Sequence, residues 1–348
     1  MAGSGVPSVA VIVPVYNGGA AFRRCAEALA SLAPPPAEWI VVGDGDEDGS
    51  SELARGLGAR VVRIAGPRGP SRARNAGVRA AASDVVLFLD ADVLAPPDTV
   101  ARVQAVFAAD PELGACFGSY DDAPAEPNFL SQYKNLQHHY VHQRGREEAS
   151  TFWAGCGAVR RAAFIDAGGF DEGYRTPCIE DIELGYRLRE KGYRIRLVKD
   201  LQVKHLKRWE PASHLRAEIF GRALPWTELL LGRGGLVNDL NTDLSTRASV
   251  AAAWLLVGTL AAGAFAPGLL GAAPLWAAAL LVLNRHFYGF LYRKRAGGFL
   301  ARSLFWHWLY FFYCGLAFAA GLLRHRLGAG HRRRRSAWGF AGGAADGG

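Results

Sequence analysis

The sequence predicts an α/β protein with a mostly parallel sheet and helices on both of its faces, followed by a C-terminal helical membrane region. From residue 8 to about residue 118, short apolar runs alternate with alanine-rich helical stretches. The run at residues 85–89 is apolar throughout, as expected of a strand that is buried on both faces. Beyond about residue 210, long apolar stretches replace this alternation, and such stretches are typical of helices in a bilayer.

Five strands and four helices are predicted in the alternating region. We expect the strands at residues 9–15, 39–42, 60–64, 85–89 and 114–117. The helices between them are expected at residues 20–31, 50–57, 71–82 and 99–109. Alternation of this kind indicates parallel strand pairing, with the connecting helices packed on both faces of the sheet.

Polar residues follow three of the predicted strands. Asn17 follows the first strand, Asp44 the second, and Asp90 and Asp92 the fourth. Ligands of doubly wound sheets bind beyond the carboxyl ends of the strands. If the extended geometry continued past Leu89, Asp90 and Asp92 would project to the same side. Two such oxygen ligands would suit a divalent cation and the phosphates that it carries, although an isolated pair is equally consistent with an acidic turn.

Composition and charge narrow the class of protein. Half of the 348 residues are apolar, which is enough for a large core. The five cysteines lie far apart without a C-x-x-C pair, which argues against a disulfide framework or a zinc site and favours a reducing compartment. Four arginines at residues 332–335 follow the apolar segments. We therefore expect them to flank the cytoplasmic face of a membrane, and we expect no nucleic acid partner.

Two further segments carry side chains that could act in a site. His138, His139 and His142 could bind a metal, but a solvated or acceptor-facing helix is the expectation for them. Glu180 and Asp181 begin a predicted helix, where carboxylates favour the helix dipole in any protein. Their position is therefore consistent with a structural role as well as with a site.

The C-terminal third is predicted to attach the chain to a membrane. Residues 214–231 have the pattern of an interfacial helix, which we expect to be broken near Pro225. Apolar stretches follow at residues 250–266, 269–283 and 304–323. A bilayer core requires roughly 20 apolar helical residues, so the third stretch is long enough to span it. The first two are shorter and could form a tight helical hairpin around Pro267.

The charge distribution leaves two topologies open. If the α/β domain is cytoplasmic, two spans return the basic segment at residues 285–295 to the cytoplasmic side, as the positive-inside rule prefers. A third complete span would place residues 332–335 outside, which the same rule disfavours. Residues 299–323 are therefore either re-entrant or interfacial, or the rule fails for this chain.

Seven motifs, in the right order between residues 8 and 210, resemble those of the family-2 glycosyltransferases. They are V-I-V-P-V-Y-N at 11–17, V-V-G-D-G-D-E-D-G-S at 41–50, R-A-R-N-A-G at 72–77, L-D-A-D at 89–92, G-G-F-D-E at 168–172, E-D-I-E-L-G-Y-R at 180–187 and H-L-K-R-W at 205–209. Each motif alone is weak, but the ordered set is highly specific. The resemblance implies the GT-A fold, a Rossmann-like domain that binds nucleotide sugars.

The resemblance also implies a donor site. Asp44 is expected to accept a hydrogen bond from the nucleobase, which we expect to be uracil, with Pro14 and Tyr16 lining that pocket. Arg74 is expected to approach the base or the diphosphate. Asp90 is expected to hold the ribose or the metal.

The remaining implied roles concern the metal and the acceptor. Asp92 is expected to coordinate a divalent cation, Mg²⁺ or Mn²⁺. Asp181 is expected to be the general base, with Glu180 beside it in the catalytic motif. Arg208 and Trp209 are assigned to the substrate side, where Trp209 could stack on an acceptor sugar or lie in the headgroup layer.

Two positions depart from the family pattern. Gly43 replaces the first aspartate of the second motif, so the contacts of that carboxylate are missing at this position. His205 replaces the usual glutamine or arginine of the last motif. Its imidazole could be a third metal ligand or bind the diphosphate, or it could be a surface histidine beside the membrane.

The implied division of the chain has four parts. Residues 1–210 form the GT-A catalytic domain, 211–248 interfacial amphipathic helices, 249–327 membrane-embedded helices in two or three segments, and 328–348 a basic, disordered tail. The implied function is a membrane-associated inverting glycosyltransferase that moves a sugar from a UDP-sugar to a hydroxyl group of a lipid or glycan acceptor. The implied location is the cell membrane, with the catalytic domain facing the cytoplasm.

A cation that neutralises the leaving diphosphate and a carboxylate that deprotonates the acceptor are the minimum requirements of such a reaction, and the motifs supply residues for both. Two other enzymes remain open, a polyprenyl-phosphate sugar transferase and a processive polysaccharide synthase. The phosphate acceptor of the former needs no general base, which counts against it. A scaffold that binds nucleotide sugar without catalysis is the non-enzymatic alternative.

Overall fold

The computed structural model describes residues 5–233 and 243–327. The predicted basic tail at residues 328–348 and its four arginines lie outside the described residues. Part of the predicted interfacial segment, residues 234–242, also lies outside them.

One sheet of eight strands organises the N-terminal domain, with the spatial order β3-β2-β1-β4-β7-β6-β8-β5. The strands are β1 (Val9–Val15), β2 (Glu38–Gly43), β3 (Arg60–Arg63), β4 (Val85–Leu89), β5 (Val93–Leu94), β6 (Leu113–Tyr120), β7 (Cys156–Arg160) and β8 (Arg194–His205). β1 to β4 pair in parallel, and β6 pairs in parallel with β8. β7 is antiparallel to both of its neighbours, and β5 is antiparallel to β8. The prediction of a mostly parallel sheet is confirmed.

Seven α-helices connect these strands. They are α1 (Gly19–Ala30), α2 (Ser50–Gly56), α3 (Pro70–Ala80), α4 (Thr99–Ala109), α5 (Phe129–Arg144), α6 (Arg161–Asp166) and α7 (Glu180–Glu190). The alternation of side chains along the central strands explains why helices cover both faces. In β1, Val11 and Val13 belong to the apolar core on one face, and Ala10 and Ile12 belong to the core on the other, because successive side chains of a strand point to opposite sides.

The C-terminal part is helical throughout its described residues. Its elements are α8 (Pro211–Arg216), a π-helix (Ala217–Ala223), α9 (Leu224–Arg233), α10 (Leu244–Gly263), a 3₁₀-helix (Pro267–Ala272), α11 (Ala273–Leu283), α12 (Arg285–Arg295) and α13 (Gly297–Arg326). The break predicted near Pro225 coincides with the change from the π-helix to α9. Pro225 lies in the first turn of α9, where a missing N–H is tolerated. The boundary expected between residues 248 and 249 falls inside α10.

α10 and α11 form an antiparallel hairpin, as predicted for the first two apolar stretches. Asn284 donates a hydrogen bond to Ser249 at its base (2.9 Å), and Trp276 donates one to Thr259 further along (3.2 Å). Within the described residues, α10 and α13 are each long and apolar enough to cross a membrane. The segment from Pro267 to Arg295 would make a third candidate only if its two helices, bent by 68°, count as one span.

Both ends of α13 contact elements that pack on the α/β domain. Near the start of α13, the ring of Phe299 lies 5.0 Å from that of Phe129 in α5. Near its end, Arg324 pairs with Glu228 of α9 at 3.1 Å. α9 is itself joined to α7, because Trp226 donates a hydrogen bond to the hydroxyl of Tyr186 at 3.2 Å. A helix of 30 residues is roughly 45 Å long, so α13 lies along the domain rather than extending away from it.

Candidate active site

The polar residues after β4 diverge rather than share one side. The strand ends at Leu89, and residues 91 and 92 lie in a turn before β5. Asp90 accepts a hydrogen bond from Arg74 of α3 (2.7 Å). Asp92 lies instead beside His205 of β8, with 3.7 Å between Oδ2 and Nε2. The conditional expectation of extended geometry is therefore wrong, because the turn rotates the two carboxylates toward different elements.

Arg74 joins two motifs that are remote in the sequence. Its guanidinium binds the carboxylate of Asp90 at 2.7 Å and that of Glu180 at 2.9 Å, and its side chain is only 6% exposed. The guanidinium also lies 5.4 Å from the ring centre of Phe170. Arg74 thus acts as a buried link between the end of β4 and the start of α7, whereas the sequence predicted that it would approach the donor.

Glu180 and Asp181 differ in their environments. Both oxygens of Glu180 are engaged, one with Arg74 and one with the backbone N–H of Cys178 (2.8 Å). This places Glu180 as a positioning residue rather than a group with a free oxygen for chemistry. Asp181 accepts hydrogen bonds from the backbone N–H groups of Ala154 (3.1 Å) and Ile182 (2.8 Å). Its carboxylate is held in place without an ion pair of its own in these contacts.

The pKa of Asp181 is raised to about 7. Burial is the largest cause and the charge of Glu180 is the second, while the N–H groups and Arg74 oppose them. A carboxyl group with a pKa near neutrality is suited to accept a proton at physiological pH. The position predicted for the general base therefore has the electrostatics that this role requires.

His205 lies inside the domain and not on its surface. Its side chain is 9% exposed, and its ring stacks on Tyr120 with 4.2 Å between centres. The antiparallel pairing of β5 and β8 brings it opposite Val93, directly after Asp92. Burial opposes ionisation of Asp92, but the neighbouring imidazole of His205 holds the pKa of Asp92 below its ordinary range.

Tyr120 is a site residue that the sequence analysis missed. Burial raises its pKa, and so do the carboxylates of Asp90, Asp92 and Asp181. The charges of all three carboxylates therefore act on one phenol, although they come from two segments that are far apart in the sequence. The position of Tyr120 at the end of β6, two strands from β4, was the available indication.

The side chains of this cluster could supply some, but not all, of the ligands of a divalent cation. Among the described residues, no group of three or more His, Cys, Asp and Glu side chains could hold a metal ion. Asp92 and His205 form a pair that could supply two ligands, whereas the near oxygen of Asp90 is engaged by Arg74. Mg²⁺ is commonly bound by one or two carboxylates together with substrate phosphates and water. The residues present fit a cation of that kind.

Asp44 occupies a different part of the same sheet edge. It follows β2, which is separated from β4 by β1, so the two strand ends are about 10 Å apart at the usual spacing of ~4.8 Å. Its carboxylate accepts hydrogen bonds from the backbone N–H groups of Arg68 and Gly69 (2.8–2.9 Å). It is 4% exposed and holds the loop at residues 66–69 in place, and its predicted contact with a nucleobase stays a prediction.

Asp46 occupies the space that Gly43 leaves. Its carboxylate accepts hydrogen bonds from the hydroxyl (2.8 Å) and the backbone N–H (2.9 Å) of Ser51. A Cβ atom on Gly43 would lie 2.3 Å from Oδ1 of Asp46. The family pattern has aspartate and serine where this chain has Gly43 and Asp46. This chain therefore carries its carboxylate at position 46 of the loop and not at position 43.

Asn75 links the motif at residues 72–77 to the motif at residues 168–172. Its side-chain amide donates to the carbonyl of Phe170 (2.9 Å), and its side-chain oxygen accepts from the N–H of the same residue (2.9 Å). The amide also donates to Glu172 at 3.0 Å. Asn75 therefore fastens the loop that precedes α7 to α3 beside Arg74.

Four predicted substrate residues lie outside this cluster. Pro14 is partly buried near the end of β1, and Tyr16 is 52% exposed just beyond the strand. Arg208 is on the surface, where it pairs with Glu126 (3.3 Å) and Glu210 (2.8 Å). Trp209 is 7% exposed.

Trp209 fits neither of the two expectations for it. Its backbone N–H donates to Ser131 of α5 at 2.7 Å, and its carbonyl accepts from Asn128 at 2.8 Å. Its ring packs edge-on against His214 of α8 at 5.8 Å. Trp209 is therefore buried in the junction between the α/β domain and the C-terminal helices, and it is not free to stack on a sugar or to lie among headgroups.

Of the two expectations for the helix that carries His138, His139 and His142, solvated or acceptor-facing, the solvated one is wrong. His139 and His142 are buried in α5, and their Nδ1 atoms hydrogen-bond to the carbonyls of Tyr120 (2.8 Å) and Gly118 (3.0 Å). Histidine rings thus satisfy carbonyl groups at the end of β6, a role that side-chain spacing along one helix could not reveal.

The chain matches known glycosyltransferases over its α/β domain. Residues 10–168 match the family model described as glycosyl transferase family 2, and residues 134–211 match the model described as the N-terminal domain of galactosyltransferase. The chain is 32% identical over 226 residues to validoxylamine A glucosyltransferase of Streptomyces hygroscopicus subsp. limoneus, covering 54% of this chain and 49% of that protein. It is 28% identical over 230 residues to pre-mycofactocin glycosyltransferase of Mycobacterium tuberculosis, covering 62% and 47%. The chain spans about half the length of the curated relatives it matches.

A solved structure extends the likeness of fold to the C-terminal helices. The mannosyltransferase PcManGT from Pyrobaculum calidifontis, in complex with GDP-Man and Mn²⁺, superimposes with a TM-score of 0.58 at 19% identity. The superposition covers 90% of this chain and 87% of that one. At this level of identity the likeness shows a shared GT-A fold.

Proposed function

The chain belongs to glycosyltransferase family 2, and on that premise we propose that it transfers a sugar from a nucleoside-diphosphate sugar to a hydroxyl group of a lipid or glycan acceptor. The transfer inverts the anomeric carbon, because the acceptor attacks from the face opposite the leaving diphosphate. We propose residues 1–210 as the catalytic domain.

The environment of Asp181 is the observation that supports this proposal most strongly. Its carboxylate is fixed by two backbone N–H groups, and its pKa lies near 7. It also lies close enough to Tyr120 to share that environment with Asp90 and Asp92. An acceptor hydroxyl bound there would pass its proton to Asp181 as its oxygen attacks the sugar.

The donor side of the proposal uses the other end of the cluster. Asp92 and His205 would hold a divalent cation, Mg²⁺ or Mn²⁺, which neutralises the charge that develops on the leaving diphosphate. Arg74 positions Asp90 and Glu180 through its two ion pairs. Asp44, with Pro14 and Tyr16, would shape the pocket for the nucleobase.

We propose a UDP-sugar as the donor, on the motif resemblance. The solved mannosyltransferase of the same fold binds GDP-Man and Mn²⁺, so GDP-sugars are the alternative to compare. Purified chain in nanodiscs should release nucleoside diphosphate from one class of donor when Mg²⁺ or Mn²⁺ is present. Failure with every donor, with and without added membrane acceptor, would contradict the proposal and favour an inactive scaffold.

We also propose how the chain attaches to the cytoplasmic face of a membrane. The hairpin of α10 and α11 exposes large apolar side chains, including Leu255, Phe265 and Val282. No charged residue occurs between residues 248 and 284, so this hairpin suits the bilayer interior. α13 is held at both ends against the α/β side, which favours an interfacial position over a span.

Of the topologies that the sequence left open, this proposal takes the interfacial one for α13. If α13 does not cross the bilayer, the end of the helix at Leu327 stays on the side of the catalytic domain.

A further inference from the structure

A cavity of about 370 Å³ lies between the α/β domain and the C-terminal helices. α5 and the π-helix form one side of it, and α9, α10 and α13 form the other. Leu230, Val250 and Phe318 give the second side an apolar surface. The volume is in the range of sites for small organic ligands, about 300–1,000 Å³.

The side formed by α5 and the π-helix is charged. Lys134 of α5 binds one oxygen of Glu218 at 2.9 Å, and Arg222 binds the other oxygen at 3.1 Å. Lys134 and Glu218 are nearly buried, with side chains 12% and 5% exposed, whereas the side chain of Arg222 is 44% exposed. Two cations therefore share one carboxylate, which leaves an excess positive charge at this wall.

The π-helix sets this arrangement. Glu218 and Arg222 are both on the π-helix. π-helices are rare in proteins, and those that do occur are frequently found at functional sites. A third polar group, Nδ1 of His138, is buried in the lining without a hydrogen-bond partner among the described residues. The wall formed by α5 and the π-helix thus has polar groups that could bind a ligand, and the wall formed by α9, α10 and α13 has an apolar surface.

Tyr120 contacts both a residue of the active site and a residue that lines the cavity. The ring of Tyr120 stacks on His205 at 4.2 Å and contacts His138, which lines the cavity, at 4.5 Å.

We propose that this cavity binds the acceptor, a lipid whose phosphate group lies against Lys134 and Arg222 while its apolar chain lies between α9, α10 and α13. An anion there would complete the pairing of the two cations, and charge-assisted hydrogen bonds to phosphate are the strongest that such groups make. This inference rests on the proposed function, because it assigns the acceptor side of the same reaction. The acceptor hydroxyl would extend from the phosphate past Tyr120 toward Asp181.

Photolabelling can test this assignment without any turnover. The probe is a long-chain alkyl phosphate that carries a diazirine in its chain, added to the full chain in nanodiscs of zwitterionic lipid. Irradiation should label peptides of α9, α10 and α13, as mapped by mass spectrometry. The matching alkanol, which has the chain without the anion, should label them at least about tenfold less, since charge-assisted hydrogen bonds are lost.

Two matched variants separate specific binding from general attraction to a basic surface. Arg222→Gln should reduce labelling by the alkyl phosphate roughly tenfold, and Arg222→Lys should retain part of it. Arg216→Gln removes the same charge from an exposed position one helical segment away and should leave labelling unchanged. Val250→Trp keeps every charge but fills the apolar side, so it should also abolish labelling.

Several results would overturn the inference. Equal labelling by the alkanol would mean an apolar groove without phosphate recognition, and displacement of the probe by millimolar inorganic phosphate would mean a site for the free anion. Undiminished labelling of Arg222→Gln or of Val250→Trp would place the lipid elsewhere. Donor turnover by the wild-type chain in the same nanodiscs reports separately on the proposed function, so lipid binding without turnover would overturn only that proposal.

Discussion

Asp181→Asn is the substitution that most directly tests the proposed mechanism. It removes the base while keeping the size of the side chain and one hydrogen-bond acceptor. Transfer should fall by roughly 10²- to 10⁴-fold, the usual contribution of a general base. Donor binding should change little, because Arg74 remains paired with Asp90 and Glu180.

The pKa of Asp181 predicts the pH dependence of the wild-type reaction. Burial and the neighbouring Glu180 raise this pKa from 3.8 to about 7. Since only the ionised carboxylate accepts a proton, kcat/KM should rise about tenfold per pH unit below pH 7 and level off above it. The acid limb should be missing in Asp181→Asn, whose residual rate should be nearly constant.

The same shift predicts an effect on stability with a definite sign. The folded pKa lies above the unfolded value, so stability from the protonated group is fully present below about pH 4 and is lost as the pH rises through about 7. A shift of about three pKa units corresponds to an upper bound of roughly 4 kcal/mol at pH 8. Asp181→Asn should therefore be more stable than the wild type at pH 8 and equally stable near pH 4.

The assay combines transfer of labelled sugar to membrane acceptor with thermal unfolding at pH 4, 6 and 8. Asp166→Asn is a suitable control, because Asp166 is an exposed carboxylate paired with Lys191 at 2.9 Å. It should show neither the loss of transfer nor the gain in stability. An Asp181→Asn variant that transfers sugar within tenfold of the wild type, or that is less stable at pH 8, would refute the reasoning.

Three further predictions concern the metal, the donor loop and the topology. Asp92→Ala and His205→Ala should each weaken cation-dependent binding of the nucleoside diphosphate by at least roughly tenfold in calorimetric titration; unchanged binding would remove that residue from the metal site. Gly43→Asp should lower the free energy of unfolding by about 1–3 kcal/mol, because the new carboxylate crowds and repels Asp46. The double variant that also carries Asp46→Ser should recover most of the free energy of unfolding and most of the wild-type KM for the donor. Additive losses in the double variant would contradict the exchange of carboxylate positions. Leu327 is 73% exposed at the end of α13. A cysteine at this position should react with an impermeant maleimide only from the side of the catalytic domain. Labelling from the opposite side would show that α13 crosses the membrane.

The regular elements of the α/β domain could be predicted because their patterns are local. The predicted bounds of β1, β4 and α4 agree with the structure to the residue. The nearly continuous burial of β1 and the continuous burial of β4 follow directly from side chains that point to two covered faces. The order of the motifs was also sufficient to identify the family.

Pairings between remote segments could not be predicted from those patterns. Nothing local indicates that Arg74 would be enclosed by Asp90 and Glu180, or that Asp92 would face His205. These contacts depend on where β7 and β5 reverse direction within the sheet. The burial of Trp209 has a similar origin, since it depends on the contact between α5 and α8.

The amino-acid sequence by itself determined the fold class, the family and the segments that supply each motif, because hydrophobic period and motif order are properties of neighbouring residues. Only the tertiary structure decided which carboxylates are paired and which has a pKa near neutrality, because desolvation and charge depend on every group that surrounds a site. It also decided what the two ends of α13 contact, Phe129 of α5 near its start and Glu228 of α9 near its end, since such contacts depend on packing and not on the composition of the helix.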